Sequence, residues 1–190
     1  MGSVGKASSG GSAKSTSKSL RAELLKGEDR IRYNATETAI VYDSNGNVVL
    51  DKSQGLRDMV SFTDEESAKF VDTTFTHNHP SGSTFSAPDL NLAVTKGVQE
   101  MRACHTDGAY VLTRDYKIGD AIPVTYLEFA QDYARARQNY ITTVTTPIWE
   151  SSAQDAYAAT KCNKMVEDFR KSWLKEHSKE YGWTYKEEHK

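Results

Sequence analysis

The stretch Thr76-His77-Asn78-His79-Pro80-Ser81-Gly82-Ser83-Thr84-Phe85-Ser86-Ala87-Pro88-Asp89-Leu90 constrains the fold more than any other part of the chain. Just before it, Val71-Asp72-Thr73-Thr74-Phe75 is rich in β-branched and aromatic residues and predicts a short strand. Side chains two apart on a strand share a face, so His77 and His79 project together where the strand ends. Pro80-Ser81-Gly82 then turns the chain, Asn78 points to the face opposite the histidines and is expected to hold that turn, and Ser86 reads as the N-cap of a helix. Pro88 falls in the first helical turn, where its missing N–H costs nothing, and Asp89 stands three residues after the cap. A carboxylate in that turn faces back toward the imidazole pair.

Two imidazoles and one carboxylate are three ligands suited to a tetrahedral zinc ion whose fourth position stays open to water. An isolated His-x-His pair is more often a solvated feature of a strand end. Here strand, turn, cap and carboxylate agree on one place, which favours ligation. Asp89 could instead serve only the helix dipole, and Ser86 only the cap.

His77-x-His79-Pro80 followed by Ser86-x-x-Asp89 resembles the signature of the JAMM (MPN-type) zinc metalloprotease family. His77-Asn78-His79-Pro80-Ser81-Gly82 is similar to the RadC-like bacterial and phage-associated branch of that family. The resemblance runs from about Arg32 to Asp115. It implies an α/β (α+β) fold of the JAMM/MPN-like, cytidine-deaminase-like kind, a mixed β-sheet flanked by helices. It implies a Zn²⁺ cofactor on His77, His79 and Asp89 and the hydrolysis of a peptide or isopeptide bond. The implied substrate is a protein or peptide, a ubiquitin-like conjugate among the candidates. The family uses an upstream glutamate as general base, and Glu37 stands in its place, directly before Thr38-Ala39-Ile40-Val41-Tyr42-Asp43. From bare position Glu37 reads as a solvated residue before a strand; the base role comes with the resemblance. So does a role for the Ser86 hydroxyl as donor to the oxyanion of a tetrahedral intermediate. One departure is visible: the run between Pro80 and Ser86 is one residue shorter than the family's. It keeps open a function of another class, a binding or assembly module of phage or mobile-element derivation that has the fold without turnover.

A hydrophobic content of 37% can form an ordinary core, and a formal net charge of −2 argues against a nucleic-acid-binding surface. No apolar run approaches a membrane span, and the N-terminus lacks the apolar region of a secretory signal. A cytoplasmic protein is expected, with Cys104 and Cys162 as reduced thiols. His105 beside Cys104 does not make a nucleophilic pair, because strand neighbours face opposite ways.

Residues 1–18, mostly Ser, Gly and Lys, predict a disordered leader. Residues 19–123 are expected to form the metalloprotease-like domain and 124–190 a C-terminal helical extension. Leu20–Lys26 predicts a short helix stopped at Gly27. Asn45-Gly46 between Ile40–Tyr42 and Val48–Leu50 predicts a hairpin. Thr63-Asp64-Glu65-Glu66 is a capping box for a helix to about Phe70. A helix from Ala87 to about Gln99 and strands over Met101–His105 and Ala109–Thr113 follow. Val124–Tyr140 and Ser152 to about Tyr181 predict two helices. These either pack on the catalytic core or dock a partner or a second copy.

Overall fold

Ala39 and Val41 alternate with Ile40 and Tyr42 along one strand, and the two pairs are buried in different clusters. That strand, β1 (Thr38–Tyr42), lies inside a six-stranded sheet in the computed structural model, which describes residues 12–53, 57 and 59–190. Around it are β2 (Val48–Ser53), β3 (Thr74–Asn78), β4 (Glu100–His105), β5 (Gly108–Arg114) and β6 (Trp183–His189), in the order β2-β1-β3-β4-β5-β6. β3 and β4 run parallel and the other neighbouring pairs antiparallel. Parallel strands need a crossover, and here it is helix α3 (Ala87–Thr95). The α+β arrangement expected, a mixed sheet flanked by helices, is the one found.

One face of the sheet is covered by α1 (Ser12–Ile31), whose Leu24 and Ile31 pack with Ile40, Tyr42, Cys104 and Val111. On the other face Ala39, Val41, Phe75, Met101 and Leu112 meet Leu90 and Ala93 of α3. They also meet Phe129 and Tyr133 of α5 (Phe129–Tyr140) and Leu174 of α7 (Ala156–His177). The hairpin forms as expected, with the Asp43 carboxylate accepting the Asn45 and Asn47 N–H groups at 2.8 and 2.9 Å. α2 (Asp64–Ser67) opens on its capping box, with both reciprocal Thr63–Glu66 bonds made.

Three expectations are corrected. Gly27 does not stop the first helix, which runs on to Ile31. A Cβ at Gly27 would lie 1.9 Å from the Tyr42 hydroxyl, so glycine is there to let α1 approach β1. The leader expected over residues 1–18 lies outside the described residues as far as residue 11, and Ser12 onward is already part of α1. Second, the helix expected to end at Tyr140 continues through a π-helical turn, Ile141–Thr145, into α6 (Thr146–Glu150). Pro147 has no N–H to return to the preceding turn, which accounts for the widening there.

Third, the C-terminal extension is not helical throughout. After α4 (Val124–Leu127) and the longer helices, Gly182 takes φ +76° and turns the chain into β6, which pairs with β5 from Gly108↔His189 to Arg114↔Trp183. The signal was present as Trp183-Thr184-Tyr185, alternating large aromatics that a strand buries on one face. Cys104 packs on the α1 side of the sheet, while Cys162 of α7 lies against the Thr145 carbonyl on the other, and both are free thiols. No helix among the described residues is long and apolar enough to cross a membrane.

Candidate metal centre

The sheet register assembles the site. Ala39 pairs with His77 across the antiparallel β1–β3 ladder, so two residues beyond, Glu37 and His79 face one another on the same side. α3 begins on that side, at the C-terminal end of β3, and presents Asp89 in its first turn. Glu37, His77, His79 and Asp89 thus form a cluster whose nitrogen and oxygen atoms all lie within 4.8 Å of one another. The residues picked from the sequence as ligands and base stand together.

The spacings suit a metal ion. His77 Nε2 lies 2.8 Å from His79 Nε2, 3.5 Å from Asp89 Oδ1 and 3.7 Å from Glu37 Oε1, and His79 Nε2 lies 3.6 Å from Asp89 Oδ2. Tetrahedral coordination at 2.0–2.1 Å separates ligand atoms by about 3.3 Å, the middle of this range. His79 also carries the right tautomer. Its Nδ1 lies 2.7 Å from Ser83 O, which can only accept, so Nδ1 holds the hydrogen and Nε2 turns its lone pair inward. His77 Nδ1 is buried and makes no hydrogen bond of ordinary geometry.

Electrostatics agree. Burial opposes charge on His77, yet Asp89 and Glu37 outweigh it and raise its pKa above the usual histidine value. Burial, reinforced by His77, depresses His79 to about 4. Burial also opposes ionisation of Asp89, but His77, His79 and the Ser86 hydroxyl hold its carboxyl well below the usual range. The carboxylates of Asp89 and Glu37 thus favour positive charge at the centre of the cluster.

Ser86 caps α3 as expected, its hydroxyl accepting the Asp89 N–H at 3.3 Å. It also donates to Asp89 Oδ2 at 2.7 Å, beside the Ser86 N–H at 2.6 Å. In this arrangement the hydroxyl proton is directed at Asp89 and helps to orient its carboxylate.

Asn78, expected to hold the turn, does something else. It points to the α1 side, fully buried, and its Oδ1 accepts the Thr38 N–H at 2.7 Å. Its Nδ2 donates to Asn34 O at 3.1 Å and Thr36 O at 3.2 Å. These bonds brace both sides of Glu37. A polar residue between two histidines, at a position strand alternation turns inward, was the available signal. Asn78→Ala leaves those backbone groups unpaired, which costs about 1–3 kcal/mol. Urea denaturation should show that loss, while zinc content, set by other residues, stays at the wild-type level.

The cluster opens into a groove of about 1090 Å³. Met59, Val60, Phe62 and Leu92 supply apolar lining, and Lys96, Arg135 and Arg137 cationic lining. No family model matches the chain, and no curated protein or solved structure matches it.

Proposed function

We propose that the protein is a JAMM-type zinc metallopeptidase or isopeptidase, with Glu37 as general base. The observation that carries this is the cluster itself: three ligands with zinc-like separations and a further carboxylate, Glu37, 3.7 Å from one of them. The donor set of two imidazoles and a carboxylate belongs to catalytic zinc, and resemblance of the His77–Asp89 stretch to the JAMM signature points the same way. The groove, at about 1090 Å³, lies at the upper end of the roughly 300–1,000 Å³ typical of ligand pockets, and has room for a peptide segment as substrate. Buried free thiols suit a reducing, cytoplasmic setting.

His77, His79 and Asp89 would hold the ion. When bound, zinc supplies a Lewis acid that lowers the pKa of a water to about 7 and polarises a carbonyl. Glu37 would act as general base, taking a proton from the attacking water and passing it to the amine that leaves as the carbon–nitrogen bond breaks. Asn78 keeps Glu37 in place by pairing the backbone on either side of it. The Ser86 hydroxyl, which here donates to Asp89 Oδ2, would turn to donate to the oxyanion, while the Ser86 N–H would keep its own bond to Oδ2.

Glu37→Gln keeps the shape and removes the base. Zinc-loaded wild type and mutant should be incubated with a peptide library and an unfolded protein, with products read by mass spectrometry. The expected outcome is cleavage by wild type, and a rate about 10²–10⁴-fold lower in the mutant with zinc retained. Equal cleavage by the mutant would remove Glu37 from the mechanism. Zinc-loaded wild type that cleaves nothing would favour the binding or assembly module.

A further inference from the structure

The loop from Pro80 to Phe85 joins His79 to the Ser86 cap, so its path sets where Asp89 stands relative to the histidines. Its far end is held from outside, by elements beyond the JAMM-like stretch. Arg170, on α7, donates from Nη2 to Thr84 O at 2.7 Å and to Phe85 O at 2.6 Å. Glu167, one turn earlier, accepts the Thr84 N–H at 2.5 Å and pairs with Arg170 Nη1 at 2.8 Å. Arg170 Nε donates to the Tyr133 hydroxyl at 2.7 Å, and that hydroxyl donates to Phe85 O at 2.8 Å. Both backbone polar groups of Thr84 thus end on α7, and the Arg170 side chain is only 13% exposed.

The residues on either side of this clamp orient two of the three metal ligands. Ser83, before it, offers the carbonyl that holds His79 Nδ1–H; Ser86, after it, holds Asp89. A shift of Thr84–Phe85 moves both at once. Arginine suits the task because its planar fork reaches two adjacent carbonyls while Nε takes a third partner, which a lysine ammonium cannot do. A loop one residue shorter than the family's has less length to find its own path, and the external clamp sets that path instead.

We propose that Arg170 and Glu167 are positioning residues of the metal centre, holding Thr84–Phe85 so that Ser83 orients His79 and Ser86 orients Asp89. The inference rests on the metal reading of the cluster and is independent of the substrate. The C-terminal helices are then part of the site.

The test compares the full-length wild type with Arg170→Gln, Arg170→Lys and Glu167→Gln. Zinc affinity is measured by competition with a chromogenic chelator, site geometry by the visible spectrum of the cobalt-substituted protein, and stability by melting of the metal-free form. Arg170→Gln should weaken zinc binding about 10–100-fold, as loss of outer partners of metal ligands does, and reduce the tetrahedral cobalt bands. Arg170→Lys should recover part of both, and Glu167→Gln should lose less than Arg170→Gln. A purely structural role would lower the metal-free melting temperature and leave affinity and cobalt spectrum at wild-type values; that result overturns the proposal. Should Arg170→Gln fail to fold, Glu167→Gln decides by the same criterion. A wild type that takes up no zinc would refute the metal reading itself, and the clamp's role with it.

Discussion

Supplied with zinc and freed of excess, the wild-type protein should retain about one zinc per chain, and His77→Ala and Asp89→Ala should retain none. The argument is one of ligand count. Three side chains bring donor atoms to within 3.6 Å of a neighbouring ligand, and two cannot hold a zinc ion against a chelator. Asp89→Ala also removes the partner of the Ser86 N–H, so a control must separate the metal from the cap. Ser86→Ala is that control: it forfeits the cap hydroxyl, at about 1 kcal/mol, weakens zinc affinity, and should still retain about one zinc per chain because all three ligands and the residue 86 N–H bond to Asp89 remain. Chelation gives a second readout. A ligand present at 100 times its Kd stabilises the native state by about 2.7 kcal/mol, or roughly 5–11 °C of melting temperature for a chain of this size. Chelator should lower the melting temperature of wild type and of Ser86→Ala by such an amount and leave Asp89→Ala unmoved. Metal-free wild type after zinc loading, or an Asp89→Ala mutant that keeps its zinc, would end the metal reading.

The site was legible where it is local. Strand alternation puts His77 and His79 on one face, and the cap spacing puts Asp89 in the first turn of α3; both follow from periodicities of a few residues. Glu37 is different. It is distant in sequence and reaches the cluster only through the β1–β3 register, which no local pattern encodes. It was found through resemblance alone. Gly27, Asn78 and β6 were misread for a related reason. Each residue type has a local default, respectively a helix stop, a turn and the tail of a helix. Each default was overridden by a distant partner: the Tyr42 hydroxyl, the Thr38 backbone and the free edge of β5. The Arg170–Glu167 clamp was invisible for the same cause, since on an amphipathic helix a charged pair one turn apart reads as a solvated face.

Glu28→Ala should be the most damaging substitution away from the metal site, costing about 3–5 kcal/mol in urea denaturation. Glu28 is buried on the α1 face of the sheet, against an equally buried Arg102 of β4, with Nε to Oε1 at 2.6 Å. Thr76 of β3 donates to the same oxygen at 3.2 Å. Arg102 reaches on to Glu188 of β6 at 2.7 Å and Glu100 of β4 at 3.3 Å, so one guanidinium ties together carboxylates of α1 and two strands. Removing Glu28 leaves Arg102 desolvated with only the outer partners, and the Thr76 hydroxyl without its acceptor. Replacing both partners with apolar residues, Glu28→Leu with Arg102→Met, should cost far less than either change alone, because no buried charge is stranded. Mild acid should leave the Glu188 end of the network intact. Burial works against ionisation of Glu188, but Arg102, Lys186 and Arg21 hold its carboxyl well below the usual range. A depressed folded-state pKa contributes stability above the unfolded value and loses it only as pH falls through the folded one. The contribution of Glu188 should therefore be the same at pH 7 and pH 5 and fade only in strong acid. The Leu/Met double mutant should also keep wild-type zinc content, since the network lies across the sheet from the cluster. A Glu28→Ala mutant within about 1 kcal/mol of wild type would mean that water reaches Arg102 and the network is not the lock between α1 and the sheet.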